Sequence, residues 1–109
     1  MEENKELLDL LVQMLLEIYG NSIKSIVLYG SVARGTYTEE SDIDVAVIIE
    51  KYTKQMHDEM NDRIVDLELE YNKVLSVLLI DKDKYNKWID VVPFYQNVQN
   101  EGVYLWKAA

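Results

Sequence analysis

Two aspartates, Asp42 and Asp44, stand one residue apart and introduce the apolar run "VAVII". In an extended strand, residues two apart project from the same face about 6.5 to 7 Å apart, so both carboxylates can bind one hard cation. Mg²⁺ suits such a pair, because it accepts one or two carboxylates and takes its other ligands from water and substrate phosphates. An isolated Asp-x-Asp is more often a solvated strand start, so the pair needs support from its surroundings.

A phosphate-binding turn is predicted just upstream of this pair. Gly30 and Ser31 follow an apolar segment, and "SVARG" is long enough for one helical turn. Backbone N–H groups at a helix start bind phosphate, and Gly30 allows the ligand to approach the chain closely. Ser31 can donate its hydroxyl, and Arg34 its guanidinium, to the same oxygens. The stretch is not a P-loop, since "GSVARG" is not followed by Lys and Ser or Thr.

Helices and strands that could position these residues are visible in the hydrophobic pattern. Apolar residues at helical spacing predict a first helix that Asn4 could cap and Gly20 end. They are Leu8, Leu11, Leu15 and Ile18. A second amphipathic helix is predicted from Thr53 to Tyr71, and a third between Pro93 and Gly102.

Strands are predicted at Ile23 to Tyr29, at "DIDVAVIIE" and at "KVLSVLLID", with "DKDKYNKWI" as a short helix or turn. The terminal "VYLW" fits either a last sheet strand or an edge that docks on another protein. The order of elements predicts an α/β (α+β) fold, a small mixed sheet of three to five strands flanked by helices.

Length and composition limit the class of protein. The 109 residues predict one domain over 1–109, and the absence of cysteine excludes disulfides and thiolate metal sites. No leader peptide or membrane-spanning run is recognised, which predicts a cytoplasmic protein with no membrane partner. The net charge is −9, and residues 37–70 hold eleven acids against three bases. Such a surface repels phosphate backbones, so direct nucleic-acid binding is not expected.

The combination of these features resembles a known signature. A strand, Gly30-Ser31, ten residues, and then Asp42-Ile43-Asp44 entering a buried strand is similar to the motif of the DNA polymerase β-like nucleotidyltransferases. In length and in the helix before the first strand, the chain looks like the minimal nucleotidyltransferases of bacteria and archaea. The resemblance covers most of the chain and implies a polymerase β-like palm fold.

The resemblance also implies a reaction and the residues that perform it. A hydroxyl attacks the α-phosphorus of ATP or another nucleoside triphosphate held with Mg²⁺, and pyrophosphate leaves. By position, Asp42 and Asp44 would be the catalytic metal ligands, and Gly30, Ser31 and Arg34 would hold the triphosphate. Ser41 is placed with the nucleotide-binding residues, although shaping the turn is its favoured role.

One part of the family pattern is missing. Active members commonly carry a third carboxylate on the strand after the long helix, and the corresponding position here is Leu75 or Ser76. Asp81 is at the far end of that strand, and Glu68 or Glu70 could approach only if the helix ended early. The single histidine, His57, is interpreted as a solvated surface residue. Metal and triphosphate binding are therefore expected, whereas the catalytic rate is left open.

Three functions are compatible with these observations. The leading one is an antitoxin that binds a HEPN-domain ribonuclease toxin and transfers AMP to one of its tyrosine hydroxyls, as some proteins that look like this one do. The second is a binding module that keeps the fold but, lacking the third acid, performs no transfer. The third is modification of a small molecule, as in the antibiotic nucleotidyltransferases, although those usually have an additional helical domain for the acceptor.

Overall fold

A computed structural model of the protein describes residues 4–36, 38 and 41–109. Nine helices and strands lie in these residues, besides a short 3₁₀ turn at Gly20–Ser22. In chain order they are α1 (Lys5–Tyr19), β1 (Ile23–Tyr29), α2 (Gly30–Arg34), β2 (Ile43–Ile49), α3 (Lys54–Tyr71), β3 (Leu75–Asp81), α4 (Lys82–Trp88), α5 (Pro93–Glu101) and β4 (Val103–Lys107). The predicted mixed α/β fold is confirmed. Within the described residues, no helix combines the length and apolar character needed to cross a membrane.

The four strands form one mixed sheet in the order β3-β2-β1-β4. β1 pairs antiparallel with β2 and β4, whereas β2 and β3 are parallel because α3 crosses over between them. The terminal "VYLW" segment is a sheet strand, with Trp106 paired to Ile26 and Tyr104 to Val27. The segment is thus a last sheet strand, and because it lies at an edge of the sheet, docking on another protein stays a prediction.

Helices α1 and α3 cover one face of the sheet. Their buried side chains pack on the residues of β1 and β2 that point to that face, which makes the larger of two cores. The Thr53 side chain begins α3 by accepting a hydrogen bond from the Met56 backbone N–H at 3.1 Å, and Asn72 ends it with a φ of 53°. The predicted cap of α1 is not formed, since Asn4 makes no side-chain capping hydrogen bond.

Helices α4 and α5 cover only part of the opposite face. Ala46 and Ile48 of β2 are buried against residues such as Val98 of α5, in a second and smaller core. Nearer the start of β2 the same face is open to water, as the exposed Asp42 and the half-buried Asp44 show. The uncovered end of the sheet therefore coincides with the carboxylate pair.

The larger core depends on Leu11, which has no exposed surface. We expect Leu11→Ala to lower the free energy of unfolding by about 2 to 5 kcal/mol, because the cavity adds to the lost transfer free energy. Urea denaturation followed by circular dichroism measures this change. Leu69 of α3 is 78% exposed, and the matched control Leu69→Ala should change the stability by less than about 0.5 kcal/mol. Equal losses in the two variants would contradict the assigned core.

Candidate active site

The carboxylate pair lies where β2 begins. Buried Ile43, between the two aspartates, points into the core beneath α1 and α3, so Asp42 and Asp44 lie on the other side of the strand. Burial raises the pKa of Asp44, the negative charge of Asp42 raises it further, and the positive charge of Arg34 opposes both. A divalent cation between the two carboxylates would relieve their repulsion, so the donor set fits Mg²⁺.

Gly30 joins β1 to α2 directly against this pair. Its φ is 77°, a left-handed conformation that favours glycine. A Cβ at this position would overlap Oδ2 of Asp44 and lie 3.2 Å from its Cγ. The sequence predicted that Gly30 makes room for a ligand, and the structure adds that it makes room for the Asp44 carboxylate itself.

The other predicted nucleotide-binding residues lie around the same turn. Ser31 is in the first turn of α2 and is partly exposed. Arg34, at the end of α2, is near enough to Asp44 to influence its pKa, and its Nη1 lies 3.6 Å from Oε2 of Glu101 at the end of α5. α2 thus brings a hydroxyl and a guanidinium to the side of the sheet that carries the carboxylates.

Ser41 has a structural role in the segment that leads into β2. Its Oγ accepts a hydrogen bond from the backbone N–H of Thr38 at 2.9 Å, and its own N–H donates to the Thr38 carbonyl at 3.1 Å. This geometry fits the favoured interpretation that Ser41 shapes the turn. Residues 37, 39 and 40 of the same segment lie outside the described residues.

The position of the missing third carboxylate is defined by strand pairing. In the parallel pair of β2 and β3, Asp44 is in register with Ser76, whose side chain is exposed. Asp81 is paired with Ile49 at the opposite end of the strand. Among the described residues, no group of three or more His, Cys, Asp or Glu side chains is arranged to hold a metal ion. Among the described residues, the β3 position beside Asp44 is therefore occupied by Ser76 and not by an acid.

Glu68 contacts β3 at the edge that does not pair with β2. Its Oε2 accepts a hydrogen bond from the backbone N–H of Leu75 at 2.9 Å. The Val74 carbonyl accepts from Ile43 N–H of β2, and backbone groups of successive strand residues alternate in direction. The N–H of Leu75 consequently points away from β2. Glu68 occupies the outer edge of the sheet and does not replace the third carboxylate.

Tyr29 lies beside the carboxylate pair, a position that the sequence motif does not predict. Tyr29 is the cross-strand partner of Asp44 in the β1–β2 ladder, and its ring packs edge-on against Phe94 of α5 at 5.4 Å between centroids. Burial raises the pKa of its hydroxyl, and the charge of Asp44 raises it further. Tyr29 is thus a neutral wall beside Asp44. Its position follows from the pairing of β1 with β2, which the local pattern does not reveal.

The contact between Gly30 and Asp44 leads to a prediction. Gly30→Ala is expected to destabilise the fold by about 1 to 3 kcal/mol and to weaken Mn²⁺ binding, because the methyl group displaces the Asp44 carboxylate. Urea denaturation and Mn²⁺ titration measure the two effects. Gly20 also has a positive φ, of 57°, with nothing within 4 Å of an added Cβ. Gly20→Ala should therefore reproduce the backbone strain but leave Mn²⁺ binding intact, and weakened binding in both variants would contradict the specific contact.

Comparisons with known proteins show which family the chain belongs to. A family model described as a nucleotidyltransferase domain matches residues 8–105. A protein of Methanocaldococcus jannaschii, provisionally named a protein adenylyltransferase, is 38% identical over 88 residues, which are 81% of this chain and 83% of that protein.

Two solved structures share the fold at low sequence identity. One is the crystal structure of a toxin–antitoxin with AMP-PNP, with a TM-score of 0.59 and 20% identity over 92% of this chain and 73% of the other. The second is a tri-AMPylated Shewanella oneidensis HEPN toxin in complex with an MNT antitoxin, with a TM-score of 0.54 and 18% identity over 94% of this chain and 72% of the other. The matched family model spans the motif and nearly all of the sheet, so the chain belongs to the nucleotidyltransferase family.

Proposed function

We propose that this protein is a Mg²⁺-dependent nucleotidyltransferase that transfers AMP from ATP to a hydroxyl group of a HEPN-type ribonuclease toxin, and so acts as its antitoxin. The observation that carries the proposal is the Asp42 and Asp44 pair at the start of β2, against which Gly30 is packed. The name of the M. jannaschii relative supports AMP transfer to a protein. The AMP-PNP and the AMPylated HEPN toxin of the two similar structures support the nucleotide and the partner.

Each residue of the site has a definite task in this proposal. Asp42 and Asp44 hold the cation that accompanies ATP, and when bound Mg²⁺ neutralises the triphosphate and polarises its α-phosphate. The Ser31 hydroxyl donates to a phosphate oxygen. Arg34 leaves Glu101 and binds the triphosphate. The free energy lost with that ion pair is small, because both of its side chains are about half exposed.

The transfer itself is an in-line substitution at phosphorus. The oxygen of the acceptor hydroxyl forms a bond to the α-phosphorus, while the bond from that phosphorus to the bridging oxygen breaks. Pyrophosphate leaves with the bonding electrons, and the hydroxyl proton passes to solvent, because Ser76 stands where a carboxylate base would accept it. Catalysis then depends on positioning and charge neutralisation, which dominate phosphoryl chemistry in general.

A second candidate function is favoured by the same Ser76 observation. With two carboxylates and no third among the described residues, the site can bind metal and nucleotide without accelerating transfer, and the protein would then inhibit its partner by binding alone. The two functions differ in whether AMP becomes covalently attached to the partner.

Incubation with α-labelled ATP and Mg²⁺ distinguishes these functions. The protein is tested with and without a co-purified HEPN-type partner, as wild type and as Asp42→Asn/Asp44→Asn. Label on the partner that disappears in the double variant supports the transferase. Inhibition of the partner ribonuclease that persists in the double variant, with no label in either protein, supports the binding module and overturns the transferase.

A matched control distinguishes the loss of these two carboxylates from a general change in the net charge of the chain. Asp62 and Asp90 are exposed and lie on α3 and after α4. The double variant Asp62→Asn/Asp90→Asn changes the net charge by the same amount and should label the partner as the wild type does. Label on a small-molecule acceptor in place of the partner would indicate the antibiotic type of reaction.

A further inference from the structure

The outer edge of β3 has no role in the proposed active site. β3 is the last strand of the sheet and pairs with β2 along its other side. Because the Val74 carbonyl faces β2, the backbone groups of Val77 and Leu79 face outward. In the part of the chain that the structure describes, neither residue forms a hydrogen bond through these outward groups. The edge presents an open row of donors and acceptors.

This edge lacks the protection that exposed strands usually carry. Natural sheets blunt their edges with lysine, proline, bulges or short strands. In β3 the only charge is Asp81 at its far end, no proline is present, and the strand pairs with β2 without a register shift. Side chains near the edge are also exposed, with Val74 at 54% and Leu78 at 43%. The opposite edge, β4, is shorter, includes Lys107 and has a register shift against β1.

A groove beside the edge can receive side chains of an added strand. It runs between β3 and the start of α5, and its apolar lining includes Leu78, Ile80, Val92, Phe94 and Tyr95. Alternate residues of an extended segment project to the same face. Every second side chain of a strand added to β3 would therefore point into this groove.

Charge at the start of the edge distinguishes between possible occupants. The Glu68 carboxylate lies on the Leu75 N–H at 2.9 Å, at the beginning of the outer edge. An added strand with a cation at that point would pair with it. In a twofold antiparallel pairing of two copies centred on Leu78, Asp81 of the second copy would face Leu75 and Glu68 instead. That arrangement, between two chains of net charge −9, is electrostatically unfavourable.

We infer that the outer edge of β3 binds an extended segment of a partner protein by strand addition. The segment has apolar residues at alternate positions and a lysine or arginine at the end that meets Leu75 and Glu68. The inference does not depend on the proposed AMP transfer, because neither Asp42 nor Asp44 belongs to the outer edge or to the lining of the groove.

The test uses a synthetic peptide, acetyl-Val-Thr-Val-Thr-Val-Thr-Val-Lys-amide, and a second peptide with Glu in place of Lys. Added antiparallel, the lysine end lies beside Leu75. Without ATP, we expect the lysine peptide to slow hydrogen exchange at the Val77 and Leu79 amides, and the glutamate peptide to bind at least about tenfold more weakly. Equal binding of the two peptides, or protection elsewhere only, overturns the inference.

Two variants locate the binding on the edge. Val77→Pro removes one outward N–H, which an edge strand tolerates, and Leu78→Lys places a charge on an exposed side chain. Each should weaken the lysine peptide at least about tenfold, whereas the control Val77→Thr should not. If Val77→Pro does not fold, Leu78→Lys decides the outcome. Unchanged binding of the lysine peptide to Leu78→Lys would show that the peptide does not bind at this edge. A wild-type dimer in sedimentation that Leu78→Lys dissociates identifies a second copy as the occupant and also overturns the inference.

Discussion

An Asp44→Asn variant is expected to lose AMP transfer by at least about a hundredfold. Asp44 is the half-buried member of the pair, and it is held between Gly30, Tyr29 and the charge of Asp42. Asparagine keeps the shape but removes the negative charge, so the cation that would neutralise the triphosphate is bound more weakly. Nucleotide affinity measured by calorimetry in the presence of Mg²⁺ should fall in parallel with the transfer of α-label.

The variant should remain folded, which separates loss of function from loss of structure. Removing one of two repelling carboxylates does not weaken the sheet, so the urea midpoint should be equal to or higher than that of the wild type. Asp62→Asn, on the exposed face of α3, provides the same chemical change away from the site and should retain full transfer. Wild-type transfer in Asp44→Asn would remove Asp44 from the reaction.

A Ser76→Asp variant is expected to increase AMP transfer by about tenfold to a hundredfold. Ser76 is in register with Asp44 on the neighbouring parallel strand and is exposed, so the new carboxylate would lie on the same face at the usual strand spacing of about 4.8 Å. It would add a ligand to the cation and a base for the acceptor hydroxyl, and such a base contributes about 10²-fold or more when well placed. Single-turnover labelling of the partner measures the gain.

The same variant makes a prediction about stability. Like charges on adjacent strands repel, so Ser76→Asp without metal should be less stable than the wild type by about 0.5 to 1 kcal/mol. Mg²⁺ or Mn²⁺ should restore the stability, because the cation neutralises the three acids. Ser76→Asn is the matched control, with similar size and no charge, and should show neither effect. A transfer rate that does not rise in Ser76→Asp, although metal binding tightens, would show that the missing acid does not limit the proposed transfer.

The helices and strands were largely predictable because their signals are local. The apolar stripe that includes Leu11 and Leu15 predicts α1, and both residues are fully buried. β1 has the predicted bounds of Ile23–Tyr29, since a β-branched apolar run ends at a glycine there. The predicted cap at Asn4 was wrong because a residue type states only that a hydrogen bond is possible, whereas its formation depends on the backbone around it.

The site was predictable in its motif and not in its pairwise contacts. The placement of the missing acid at Leu75 or Ser76 agrees with the register of Ser76 beside Asp44. Tyr29 beside Asp44 could not be predicted, because cross-strand register is set by the whole sheet. The contact of the Glu68 carboxylate with the Leu75 N–H could not be predicted either, because it depends on how α3 is placed relative to β3.

The most direct test of the proposed site is the location of its cation. Crystals grown with Mn²⁺ and AMP-PNP should give an anomalous diffraction peak between the carboxylates of Asp42 and Asp44, within bonding distance of about 2.0 to 2.3 Å of an oxygen of each. The triphosphate should lie against Gly30 and Ser31. A peak elsewhere, or a nucleotide bound with no metal at these two aspartates, would contradict the proposed site.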